Sequence, residues 1–326
     1  MAVVKRAPWR INVGLALGGG AARGLAHIGV IRGLQRAGIP IDIVTGTSMG
    51  AIVGGAFAAA GNVDQCEHQV REIVTSERFK KSRLSFLQES KKASGGLMYS
   101  VRSLVKKGVF YGVSSMRSSF LSAEDFASDI AAVVPDIPLA DTQIPFAAVA
   151  LDLDEGEEVL IRDGSLLRAT RASSAIPGIL PSVSFEGRTL IDGGWVDKVP
   201  VLPAFYLGAD IVIAVDITAD LDEPKEKRKA IDVMMRANTI RDKALVRMIV
   251  RLADQVIEPD VRSIHWADFG AVDRCVEAGE ASVAEALPRL QAFLQKERWA
   301  SLVRRSRARK MADHYLKLHR KHLCVL

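Results

Sequence analysis

The chain has 326 residues, 48% of them hydrophobic and 25% charged, with a formal net charge of +6. These values describe a globular chain of one large domain or two ordinary ones and exclude a disordered or collagen-like polymer. No run approaches eighteen uninterrupted apolar residues, which argues against a membrane span, and three isolated cysteines, Cys66, Cys275 and Cys324, argue against a disulfide framework.

Ile11–Leu17 reads as the first strand. Lys5, Arg6 and Arg10 before it imitate a signal peptide, but the apolar run is short and leads into three glycines, not a cleavage site. Gly18-Gly19-Gly20-Ala21-Ala22-Arg23-Gly24 follows, then a helix from Leu25 that stops at Gly38 with Pro40 beyond. A strand, a glycine loop and a helix suggest a dinucleotide site. The spacing fails that fingerprint: counted from Gly18 the sixth position is Arg23, and counted from Gly19 the third is Ala21. Asp42, the acid at the expected distance, begins the next strand instead of ending it. The other use of such a loop is an oxyanion hole, where backbone N–H groups approach negative charge because side chains are absent.

Ile41–Thr45 is a short β-branched run, followed by Gly46-Thr47-Ser48-Met49-Gly50 and a small-residue helix to about Ala60. This is the order of a nucleophile elbow, with Ser48 lifted out at a helix N-terminus and Gly46 and Gly50 where side chains would clash. In a parallel sheet the ends of the first two strands face one crevice, so the glycine loop and Ser48 converge.

A polar helix continues to about Thr75. Residues 77–120 carry ten Lys or Arg against two Glu, interleaved with aromatic and aliphatic residues. They read as helices with packed apolar faces, or as a cap facing lipid. A helix over Ala123–Val133 precedes a buried strand, Phe146–Leu151, and its hairpin partner Glu157–Arg162. Ser165–Ala175 is a small helix. Arg188–Ile191 is a strand ending in Asp192-Gly193-Gly194, and Ile211–Ile217 is the last clear strand. A boundary is placed near 220, dividing 1–219 from a charged helical region, 220–326. The two segments hold 22 basic and 22 acidic against 22 basic and 16 acidic residues, so the positive excess lies in the second. Lys296–His322 concentrates it and reads either as a solvated helical tail or as a surface for an anionic partner, with membrane contact expected and nucleic acid not.

The glycine loop at 18–24, Gly46-Thr47-Ser48-Met49-Gly50 and Asp192-Gly193-Gly194, with Ala169–Gly178 and Val196–Pro200 in support, closely resemble the patatin-like phospholipase family in its bacterial branch. The resemblance covers about residues 11–219. It implies a three-layer α/β/α sandwich with a mostly parallel sheet, and a lipid acyl hydrolase with a Ser–Asp dyad. By motif, Ser48 would be the nucleophile, Asp192 the base, and Gly18, Gly19 and Gly20 the oxyanion hole, with Arg23 beside it. Many members carry Asn where this chain has Asp197.

The expected function is therefore hydrolysis of phospholipid or lysophospholipid esters through an acyl-Ser48 intermediate. No cofactor and no metal are expected. The expected location is cytoplasmic, with peripheral contact to membrane. The rival reading is a non-catalytic lipid- or protein-binding regulator on the same fold. His27, at helical spacing with Ile31 and Leu34, reads as packing or capping. A conventional triad would need His265 or something like it.

Overall fold

The computed structural model describes residues 11–76, 123–218, 230–299, 301–319 and 324–325. The expectations for residues 77–120 lie outside these, apart from the sequence itself.

Among the described residues a nine-stranded sheet forms the centre, in the order β5 (Val183–Phe185), β6 (Arg188–Asp192), β3 (Phe146–Asp152), β2 (Ile43–Thr47), β1 (Val13–Leu17), β7 (Ile211–Val215) and β8 (Gln255–Ile257), with β4 (Glu157–Ile161) on the opposite edge of β3 and β9 (Cys324–Val325) on β4. β1 (Val13–Leu17), β2 (Ile43–Thr47) and β7 (Ile211–Val215) are buried at every position, as strands covered on both faces must be. Their side chains alternate between two layers. Val13, Leu15 and Leu17 join one core with Ile211, Ile213 and Val215, while Ala16, Val212 and Ala214 join the opposite one. The β1–β2, β1–β7, β2–β3 and β7–β8 pairs are parallel. The hairpin of β3 (Phe146–Asp152) with β4 (Glu157–Ile161) is antiparallel, as expected from its Asp-Glu-Gly turn.

Helices cover both faces. On the first lie α1 (Ala26–Arg36), α2 (Met49–Ala60), α3 (Val63–Thr75), α4 (Ala123–Ala131) and α5 (Leu166–Ser173). α6 (Val201–Tyr206) lies on the second, joined by the C-terminal end of α7 (Ala230–Val250).

Three short strands were not legible: β5 (Val183–Phe185), β8 (Gln255–Ile257) and β9 (Cys324–Val325). They are too brief for a two-residue period to show. Ile211–Val215 is therefore not the last strand. β8 lies beside β7 in the same sheet, so the chain beyond 220 re-enters the fold. α8 (Val272–Trp299) packs on α1 at close range: a Cβ on Gly29 would sit 2.0 Å from the Val276 carbonyl oxygen, and one on Gly279 would sit 2.1 Å from that of Ala26. The composition change near 220 thus does not separate two cores. α9 (Ser301–Leu318) lies on α6, with Ala308 and Tyr315 buried and Met311 packed beside them. Arg307 is 2.5 Å from Asp254 and Arg305 is 3.9 Å from Asp210. Part of the basic tail is thereby tied to the domain.

Candidate active site

Strand register brings the two proposed reacting residues together. β4 occupies one edge of β3 from Ala148 to Asp152, so β2 and β6 (Arg188–Asp192) must share the other. β2 runs parallel to β3 and ends with Thr47 opposite Val149; β6 runs antiparallel and ends with Asp192 opposite Ala150. The two strands meet end to end, and the residue after β2 faces the last residue of β6.

Ser48 makes the turn from β2 into α2 with φ +57 and ψ −124, a strained region for a side-chain-bearing residue. The flanking glycines permit it. A Cβ on Gly46 would lie 2.4 Å from the Gly50 carbonyl oxygen, and one on Gly50 would lie 2.2 Å from that of Leu17. The Ser48 N–H donates to the Ser173 carbonyl at 3.1 Å and to the Ser173 hydroxyl at 3.0 Å, and that hydroxyl donates to the Val149 carbonyl at 2.6 Å. Ser173 therefore fastens the elbow to β3, and Ala175, two residues on, accepts from the Asp192 N–H at 3.0 Å. Sequence reasoning missed this role: Ser173 and Ala175 stand out there only as members of the Ala169–Gly178 stretch.

The Ser48 hydroxyl donates to Asp192 Oδ2 at 2.6 Å, and both residues are buried. Asp192 Oδ1 accepts from the Gly194 N–H at 2.8 Å. Burial raises the Asp192 carboxyl to about 6, against the opposing pull of the Ser48 and Gly194 hydrogen bonds and the Lys198 charge. The segment after Asp192 binds the rest of the site. The Asp197 carbonyl accepts from the Thr47 hydroxyl at 2.9 Å, and the Lys198 carbonyl accepts from the Gly19 N–H at 2.9 Å.

The glycine loop lies beside Ser48, but its donors are divided. Gly18 N–H donates to the Val215 carbonyl at 3.1 Å, so Gly18 and Gly19 are both engaged in holding the loop. The motif resemblance implies both as oxyanion donors; in this structure their N–H groups point into these framework bonds. The Gly20 and Ala21 N–H groups bond to nothing among the described residues, nor does that of Met49 at the start of α2. Ala21 holds φ +50 and lines the cavity next to Ser48. Arg23 points elsewhere, its Nε donating to the Ile264 carbonyl at 2.7 Å.

His27 is fully buried under the loop, with Nε2 2.7 Å from the Gly18 carbonyl oxygen. Burial lowers its pKa to about 4, only partly offset by that hydrogen bond, so the ring is neutral and Nε2–H is the donor. It caps and packs, as its helical spacing suggested. His265 accepts at Nδ1 from the Ala267 N–H at 3.3 Å, while the Ser48 proton is directed at a carboxylate.

An apolar cavity adjoins Ser48. Its walls come from α2, α3 and α4, from Ile176 and Leu180, and from Trp266 and Phe269. Apart from the Trp266 indole, only Ser48, Asp129 and Ser174 bring polar side chains to the described lining. Groups of three or more His, Cys, Asp or Glu able to hold a metal are absent among the described residues.

The model of the patatin-like phospholipase family matches residues 15–205, more than half of the chain. The chain belongs to that family. Its relatives include an uncharacterized NTE family protein of Mycobacterium tuberculosis, 35% identical over 206 residues that make up 63% of this chain and 49% of that one. The lysophospholipase nte1 of Emericella nidulans is 32% identical over 205 residues, 63% of this chain and 12% of the relative. Patatin-like phospholipase domain-containing protein 6 of Homo sapiens is 33% identical over 208 residues, 63% and 13% of the two chains. The chain thus spans less than half the length of these relatives. Among solved structures, VipD from Legionella pneumophila aligns with a TM-score of 0.43 at 13% identity, over 87% of this chain and 67% of that one. The family's glycine loop, elbow and Asp-Gly-Gly all fall within the matched segment. Trp266 and Phe269 fall outside it.

Proposed function

We propose that this protein is a serine acyl hydrolase that cleaves the ester bonds of phospholipids or lysophospholipids. The observation that carries this reading is the 2.6 Å hydrogen bond from Ser48 to Asp192 at the edge of an apolar cavity. A serine hydroxyl attacks only when a neighbour takes its proton. Asp192, raised to about 6, is a better base than an exposed aspartate and is still ionised at neutral pH. Ser48 Oγ attacks the ester carbonyl while its proton passes to Asp192. The carbonyl oxygen, now negative, is held by the Gly20, Ala21 and Met49 N–H groups and the N-terminus of α2. The intermediate collapses, the alkoxide leaves with the proton from Asp192, and the acyl group stays on Ser48. Water then attacks the acyl-enzyme, giving its proton to Asp192. The carboxylic acid departs and Ser48 regains its proton.

The cavity supplies the substrate class. Its near-absence of polar lining suits an acyl chain, with the ester at Ser48 and the polar head outside. A lipid surface is the natural source of such a substrate. Cys66 and Cys275 are free and buried, in keeping with a reducing, cytoplasmic setting. A fluorophosphonate probe tests the reading. Wild type should be labelled and Ser48→Ala should not; a folded wild type that resists the probe and hydrolyses no lipid ester would instead be a binding protein.

A further inference from the structure

In the basic tail Ala308 and Tyr315 are buried and Met311 is packed beside them. Leu316 and Leu318 at its end are exposed, but a longer row of exposed apolar residues lies on another helix. α7 crosses over between the parallel strands β7 and β8, so it runs back against their direction. Its N-terminal end therefore lies toward the edge of the sheet where β1 delivers the glycine loop and β2 delivers Ser48. Its last turns fasten it, with Val246 buried and Ile249 and Val250 packed against the second-face core.

The outer side of α7 is different. Val233, Met234, Ile240, Leu245 and Met248 are all exposed, the two methionines by 61% and 66%. At the helical repeat these five fall within an arc of about 140° and a length of roughly 22 Å. Single exposed apolar residues are ordinary, but a continuous stripe marks a surface that meets something. Arg241 and Arg247 are exposed on the same side, and Arg251 follows the helix end. α7 carries four Lys or Arg against two Asp. Methionine and aliphatic side chains flanked by guanidinium groups fit the boundary between phospholipid heads and acyl chains. A second copy of this chain would set the same cations against each other.

We propose that the outer face of α7 docks on an anionic phospholipid bilayer and turns the Ser48 edge of the sheet toward the lipid. The inference rests on the lipid hydrolase reading for its purpose, but its test does not need turnover. The full chain carrying Ser48→Ala would be sedimented with vesicles of phosphatidylcholine and phosphatidylserine, alone and with Met234→Glu and Met248→Glu added. Both methionines are exposed, so melting should be unchanged. The parent should sediment with the mixed vesicles, less so as salt rises, and the double glutamate variant should bind at least about tenfold more weakly. In a Ser48 background, the same two changes should leave turnover of a short water-soluble ester intact. Equal sedimentation of the parent and the glutamate variant overturns the proposal, as does a parent that ignores the vesicles. So does a parent that dimerises through this face, shown by dimers that the glutamates abolish. Vesicle binding that behaves as expected beside an inert Ser48 would sink the hydrolase reading and leave the docking face standing.

Discussion

The Asp192 carboxylate has to lose its proton before it can accept one from Ser48. With its pKa raised to about 6 by burial, activity should climb as pH rises through that value and level off above it. A kcat/KM profile for a soluble ester measures this directly; a profile flat down to pH 4.5 would remove Asp192 as base. Gly19 bears on the same centre from the other side. A Cβ there would lie 3.1 Å from the Ser48 Cβ and 3.4 Å from the Thr47 carbonyl oxygen, so a larger side chain must push the nucleophile. Gly19→Val should lower kcat by about 10²-fold, the usual cost of a small misplacement of reacting groups. Gly20 is a different position: its Cβ would meet Ile217 Cδ1 at 2.5 Å, away from Ser48, and its φ of −179 suits any residue. The motifs made Ser48, Asp192 and the loop legible in the sequence. They did not reveal which loop N–H groups were already bonded, because the acceptors, Val215 and Lys198, lie 197 and 179 residues further along the chain.

At the scale of elements, the cavity depends on a loop outside the family-matched segment. The Ala22 N–H donates to the Trp266 carbonyl at 2.8 Å, and Trp266 and Phe269 close part of the apolar wall. Trp266→Ala should enlarge the acyl site and shift the preferred acyl chain toward greater length or bulk. Relative kcat/KM across a series of chain lengths reads this; an unchanged series would place the acyl chain elsewhere. α9 poses a separate question. Tyr315 O–H donates to Glu158 Oε1 at 2.5 Å, with His319 Nε2 3.7 Å from Oε2 and the buried Asp197 carboxyl within range of the same charge. Burial raises Glu158 to about 7 and raises Asp197 as well, with Glu158 adding repulsion. A carboxyl raised in the fold binds its proton more tightly there than in the unfolded chain. Its contribution is therefore full below about 4.5 and falls away as pH rises to about 7. Glu158→Gln should flatten the fall in Tm over that window, and wild-type and variant curves of equal slope would contradict the assignment.

Taken as a whole, the molecule shows why half of its plan could be read ahead. Strands buried on both faces, such as Ile211–Val215, announce themselves by an apolar run, and the hairpin at 146–161 by its turn. β8 and β9 do not, because two or three residues carry no period; only their partners define them. The change of composition near 220 is visible in the sequence, but the packing of the chain beyond it is not. Charge covers the outside of α8, while Gly279 and Val283 are set against α1. The Ser48–Asp192 pairing was expected from motifs, but its geometry comes from register, with two strands ending head to head along β3. The most direct test of the account is fatty-acid release from a lysophospholipid by wild type, Ser48→Ala, Asp192→Asn, His27→Ala and His265→Ala, each checked for folding by its melt. The dyad predicts release by wild type and both histidine variants and its near-complete loss in Ser48→Ala and Asp192→Asn. A folded, active Asp192→Asn beside an inactive His265→Ala would contradict it.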